Sequence, residues 1–149
     1  MGLPVVKYEG KDAAGHCWGV IRDGNIYPVL AQFASHRELM DAYFESREQF
    51  LSCLGDTPIE LDTDQLLSPV SPDVQLYCQG LNYVEHREES GVSDHDHEET
   101  LMFMKAASSI CAPNATILRP KGCELLDYEI ELALVLRKDI TEPLSISQV

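Results

Sequence analysis

The run from Leu125 to Leu136 constrains the fold more than any other stretch of this chain. Its period is two, which is the repeat of a β-strand. Leu126, Tyr128, Ile130, Leu132, Leu134 and Leu136 form one apolar row, and Leu125, Asp127, Glu129, Glu131, Ala133 and Val135 form the other. The second row begins and ends apolar, so both faces are expected to be covered, with three carboxylates held in the middle of one. Same-face neighbours on a strand lie about 6.5–7 Å apart at Cα, close enough for their side chains to converge. Carboxylates crowded in a half-covered site repel one another unless one protonates or a cation holds them. A divalent metal with oxygen ligands answers that need. The pattern alone also fits a solvated edge strand, and it leaves open whether Asp127/Glu129 or Glu129/Glu131 is the chelating pair.

With 149 residues the chain is long enough for one ordinary domain or two small ones. A net charge of −14 argues against nucleic acid and anionic membrane surfaces, both of which select for basic patches. The five cysteines, Cys17, Cys53, Cys78, Cys111 and Cys123, are scattered and contain no Cys-x-x-Cys. They read as free thiols of a reducing cytoplasm, not as a disulfide framework or zinc cluster. Met1 to Glu9 has no sustained apolar core, so no signal peptide is expected, and no run reaches membrane-spanning length.

The expected fold is α+β and mostly β. Pro4 to Tyr8 reads as a strand. Cys17–Arg22 and Asn25–Leu30 flank Asp23-Gly24, a pair that tolerates the positive φ of a tight hairpin. Ser35 and Glu38 form a capping-box pattern ahead of one helix, whose stripe of Leu39, Met40, Tyr43, Phe44, Phe50, Leu51 and Leu54 ends at Gly55 as a left-handed stop. The prolines at 58, 69 and 72 mark a boundary near residue 70. Two parts are therefore expected: a small β-hairpin/helix domain over 1–70 and a second domain over 71–149. The second opens with a strand at Val74–Cys78, and Leu101–Ile110 suits a strand or a short helix.

Three further constellations carry chemistry. In Glu85-His86-Arg87-Glu88-Glu89, a helix after Asn82 would set His86 and Glu89 one turn apart. A carboxylate on one imidazole nitrogen raises the basicity of the other, which activating a water requires; the same spacing also suits ordinary helix-surface decoration. Ser93 to Glu99, with Asp94, His95, Asp96, His97, Glu98 and Glu99, is rich in metal-binding residue types. It departs from an EF-hand loop in lacking the sixth-position glycine and in placing Lys105 twelfth, and a solvated acidic loop or a lid is the simpler expectation. Lys105 is a lone cation in the apolar run from Leu101, suited either to an anionic partner or to snorkelling.

Taken together, Gly80-Leu81-Asn82-Tyr83-x-x-His86-x-x-Glu89, Phe103-x-Lys105 and Asp127-Tyr128-Glu129-x-Glu131-Leu132-Ala133 resemble the fumarylacetoacetate hydrolase family. Their order and rough spacing are similar to its bacterial acylpyruvase and hydroxyheptadienedioate isomerase branch. The resemblance is specific over about 74–140 and looser over the first 70 residues. It implies that residues 71–149 are the first part of a mixed β-roll, and that the chain is the N-terminal portion of a longer enzyme with weak or no activity alone. It implies Glu129 and Glu131 as ligands of Mg²⁺, with Mn²⁺ or Ca²⁺ as alternatives, and a third ligand, an aspartate, beyond Val149. His86 and Glu89 would be the water-activating dyad and Lys105 the lysine beside the substrate. The implied activity is metal-dependent hydrolysis of a C–C bond in a 1,3-dicarbonyl or acylpyruvate-type acid of aromatic catabolism, in a cytoplasmic homodimer. Decarboxylation or isomerisation of a hydroxymuconate-type diacid on the same scaffold, or a non-enzymatic truncated interaction module, are the competing implications.

Overall fold

The computed structural model describes residues 2–10, 16–71, 73–89, 91 and 101–145. It is a mixed α+β structure in which the chain divides into two compact units, Met1–Leu67 with Pro113–Val149, and Ser68–Ala112.

In the first unit β1 (Val5–Glu9), β2 (His16–Arg22), β3 (Asn25–Pro28), β4 (Ile59–Glu60) and β5 (Leu66–Leu67) form a curled antiparallel sheet in the order β4-β3-β2-β1-β5. The β2–β3 turn is the expected hairpin: Asp23 and Gly24 have φ of 49° and 75°, and Arg22 pairs with Asn25. On one face of β2, Trp18 and Val20 pack with Val29, Leu39 and Phe50 into the main core. The other face is built around Gly19, where a Cβ would collide with Ile26 and lie 3.3 Å from the Tyr8 ring. The missing side chain lets Tyr8 and Ile26 close over the strand, and both are buried.

The expected single helix is two. Helix α1 (His36–Glu45) ends at Ser46, whose hydroxyl then accepts the Gln49 N–H and caps α2 (Arg47–Ser52). Ser46-x-x-Gln49 is a second capping pattern inside the apolar stripe, and its extended backbone at φ −152° breaks the helix there. The first cap forms at Ser35, which accepts the Glu38 N–H at 3.3 Å; Glu38 reaches back to the Ala34 N–H at 2.9 Å. Gly55 is not the left-handed stop. Cys53 ends α2 in right-handed geometry, and Gly55 donates its N–H to the Pro28 carbonyl at 2.8 Å, tying the helix pair to β3.

Tyr8 lies opposite Cys17 across β1 and β2. Burial, then the charge and hydrogen bond of Cys17, push its phenol above the usual 10.0. A raised pKa means that the folded state favours the neutral phenol. That contribution is complete below pH 10 and is lost as pH rises through the folded value. The fall in urea-unfolding stability between pH 8 and pH 11 is therefore expected to be smaller in Tyr8→Phe than in the natural chain. Equal losses in the two would remove Tyr8 as a source of alkaline sensitivity.

The second unit is a two-stranded antiparallel pair, β6 (Leu76–Gly80) and β7 (Leu101–Lys105), with α3 (Val84–Glu89) between them in sequence. Leu101–Lys105 is thus the strand of the two options, followed by a short 3₁₀ turn at Ala107–Ser109.

The alternating run at 125–136 does not pair into a sheet. The described residues from 113 onward contain neither helix nor strand, and Leu125, Tyr128, Ile130, Leu132 and Leu134 are all exposed. A period of two specifies which residues share a face, but a strand exists only when a neighbour takes up its backbone N–H and C=O groups. Among the described residues nothing does so here, and the expectation that both faces are covered is overturned with it.

Candidate functional site

The residues singled out from the sequence fall in two groups. His86 and Glu89 sit on α3, and Lys105 ends β7, all within the second unit. Glu129 and Glu131 belong to the first.

The helix expected after Asn82 forms as α3, initiated where Leu81 adopts φ of 54° and Asn82 and Tyr83 leave the strand. His86 and Glu89 are three residues apart on it, hence on adjacent turns of one face. Both are exposed, and among the described residues no hydrogen bond joins them. Catalytic hydrogen bonds often tighten only around substrate, so their shared face is the informative feature.

Lys105 pairs with Leu76 in the β6–β7 ladder, opposite the start of β6. Its ammonium lies 5.9 Å from the centre of the Phe103 ring, two residues before it on the same side of the strand. The cation rests on an aromatic face and keeps its polar end exposed, with no ion pair among the described residues. Across the ladder, Gly80 faces Leu101; a Cβ there would stand 2.9 Å from Leu101 Cδ2, so the glycine lets this leucine lie over the end of β6 just before α3 begins.

Glu129 and Glu131 are exposed on backbone that belongs to no helix or strand among the described residues, with Cα atoms at most about 7 Å apart. Asp127 turns back on the chain and accepts the Tyr128 N–H at 2.9 Å, so the first of the three carboxylates is engaged locally. Two free carboxylates two residues apart fit a hard divalent cation in the kind of donor they offer, since Mg²⁺ and Ca²⁺ take oxygen ligands. In number they are a partial set: among the described residues no three His, Cys, Asp or Glu side chains gather into a metal-binding group. The acidic stretch Asp94–Glu99, with His95 and His97, lies outside the described residues. All five cysteines are free thiols, and no helix is long and apolar enough to cross a membrane among the described residues.

The family model described as fumarylacetoacetate (FAA) hydrolase C-terminal matches residues 75–149, half of the chain, and takes in α3, β7 and the carboxylate run together. The chain belongs to the fumarylacetoacetate hydrolase family. Members typically bind a divalent metal. Over 85 residues the chain is 34% identical to the fumarylacetoacetate hydrolase domain-containing protein 2 homolog of Dictyostelium discoideum, covering 57% of this chain and 27% of that protein. Over 149 residues it is 30% identical to the mitochondrial oxaloacetate tautomerase fahd2 of Xenopus laevis, covering 93% of this chain and 45% of that one. Over 72 residues it is 38% identical to the human mitochondrial oxaloacetate tautomerase FAHD2A, covering 48% and 22%. The chain thus spans less than half the length of these relatives. No solved structure matches it. The comparisons place it in the family without assigning it to the acylpyruvase and isomerase branch.

Two ion pairs, Arg37 with Asp139 at 3.3 Å and Arg137 with Asp41 at 3.1 Å, escape a reading of the sequence. Each member is an ordinary surface charge in its own neighbourhood, and no local spacing links it to its partner.

Proposed function

We propose that the protein acts on a small keto/enol acid, hydrolysing the C–C bond of a 1,3-dicarbonyl or acylpyruvate-type substrate, with residues 71–149 as the first part of a mixed β-roll and 1–70 as a separate N-terminal domain. The carrying observation is the family match over 75–149, because that span contains His86, Glu89, Lys105, Glu129 and Glu131 at once. Glu129 and Glu131 would hold a divalent cation, Mg²⁺ above Mn²⁺ or Ca²⁺. When bound, such a cation supplies Lewis-acid polarisation of substrate oxygens. Lys105 offers the positive charge that an anionic carboxylate needs. Its exposed tip on Phe103 leaves it free to meet one. His86 takes a proton from water at one ring nitrogen while Glu89 fixes the other; the water's oxygen adds to the carbonyl carbon, the adjacent C–C bond breaks with its electron pair leaving as an enolate, and the proton held by His86 is returned to that leaving group.

A second reading is favoured by the relatives that carry the name oxaloacetate tautomerase. The same residues would then interconvert the keto and enol forms of a 2-oxo diacid, with His86 moving the proton and no water consumed.

Calorimetric titration with Mg²⁺ and Mn²⁺ tests the metal half of this reading. The natural chain is expected to bind, and Glu129→Gln/Glu131→Gln to lose at least about tenfold in affinity. Binding that is equal in the two would take the cation away from the carboxylate run. Asp96→Asn/Glu98→Gln, run beside them, would reveal the acidic stretch as the true site if it alone lost binding.

A further inference from the structure

The stretch that carries Glu129 and Glu131 has no ladder of its own, yet the first unit holds it at both ends. At the upstream end Asn114, with φ of 63°, donates its side-chain amide to the Thr63 carbonyl at 3.2 Å and to Asp64 Oδ1 at 3.1 Å. At the downstream end two ion pairs cross to α1: Arg37 to Asp139 at 3.3 Å and Arg137 to Asp41 at 3.1 Å. The Arg137 guanidinium also lies 5.2 Å from the centre of the Phe44 ring. Residues 37, 41 and 44 follow the i, i+4, i+7 spacing of a single helix stripe.

The spacings of the two partners agree. Four residues rise about 6 Å along a helix, and residues two apart on a chain span at most about 7 Å. Arg37 and Asp41 can therefore meet residues 137 and 139 charge by charge. Both rows run from positive to negative along the chain, so only an antiparallel crossing brings opposite charges together. A parallel crossing would set Arg37 against Arg137 and Asp41 against Asp139. Each pair is partly exposed and weak by itself. Direction comes from the two pairs acting together, and the planar guanidinium of Arg137 adds a stacked contact on Phe44 that a point charge would not make.

We propose that the outer face of α1, presented by Arg37, Asp41 and Phe44, is a receptor surface for the Arg137–Asp139 segment of the same chain. It fixes the direction in which the chain leaves the carboxylate stretch, so the N-terminal domain helps to set where Glu129 and Glu131 stand. The inference rests on the ion pairs and the ring contact, and uses neither the metal nor the reaction.

Brief trypsin digestion of the full 149-residue chain tests it. Trypsin must bind the Arg137 side chain that α1 occupies, whereas Lys121, followed by Gly122, lies outside the clasp and serves as an internal control. Cleavage after Arg137 is read by mass spectrometry and normalised to a free peptide of the same sequence. It is expected to rise about threefold or more in Asp41→Arg, Phe44→Ala and Arg37→Asp, and to return towards the natural rate in Arg37→Asp/Asp139→Arg. Unchanged cleavage in the single variants, or no recovery in the swapped one, overturns the proposal. Should a variant fail to fold by circular dichroism, the natural chain in about 1 M salt reads the same quantity. Screening there shortens to about 3 Å, and cleavage after Arg137 must rise relative to that after Lys121.

Discussion

Phe50→Ala is expected to lower stability by about 3–5 kcal/mol, read by urea unfolding. Phe50 is only 2% exposed and projects from α2 into the cluster with Trp18, Val20, Val29 and Leu39. Its ring meets Tyr43 edge-on at 5.6 Å and stacks with Phe33 at 6.4 Å, so truncation removes aromatic contacts along with buried area. A six-residue helix has little stability of its own and cannot easily collapse to refill the space. Small domains are stable by about 5–15 kcal/mol in all, so the variant stands near the edge of folding. Trp18, the chain's one tryptophan, sits in the same cluster and reports the transition directly. A loss below about 1 kcal/mol would show that α2 does not cover the sheet.

The second large effect is catalytic. In the whole protein, His86→Ala is expected to lower kcat/KM on an acylpyruvate by about 10²–10⁴, the usual reach of a positioned acid–base group. If His86 acts on water and Lys105 attracts an anionic substrate, as proposed, the loss should fall mainly on kcat. Lys105→Ala is then the contrasting variant, with KM as the parameter it moves. Glu89→Gln separates a dyad from a lone histidine: if Glu89 fixes the imidazole tautomer, the conservative amide must lose activity and shift the pH profile as well. A loss under tenfold in His86→Ala would sink the water-activating role. Retained exchange of oxaloacetate between keto and enol forms in His86→Ala would remove His86 as the proton carrier of the tautomerase reading.

Local features of the fold were legible, and non-local ones were not. Asp23-Gly24 and Ser35 declare themselves because a turn or a cap is decided by three or four neighbouring residues. Ser46 carries the same signature, and the apolar stripe running through it hides the break. The carboxylate run shows the converse. Its alternation is plain, but pairing depends on a partner strand elsewhere, and no local pattern reveals whether one is present. The clasp is less legible still, since Arg37 and Asp139 are separated by 102 residues and acquire meaning only when Arg137 and Asp41 are seen beside them. As for the site, residue types and spacing were readable at α3, β7 and Glu129/Glu131, and the family match confirms the family without testing the role of any one residue.

The strand order β4-β3-β2-β1-β5 has a kinetic side. β1, β2 and β3 pair with their immediate neighbours along the chain, so these ladders close over short loops at small entropic cost. β4 joins after the helices, and β5 comes last, bringing Leu67 back beside Lys7 across the whole N-terminal segment. The sheet can thus zip from its first hairpins outward and be sealed at one edge by its longest-range contact. The edge sealed last is followed at once by Ser68, the first residue of the second unit.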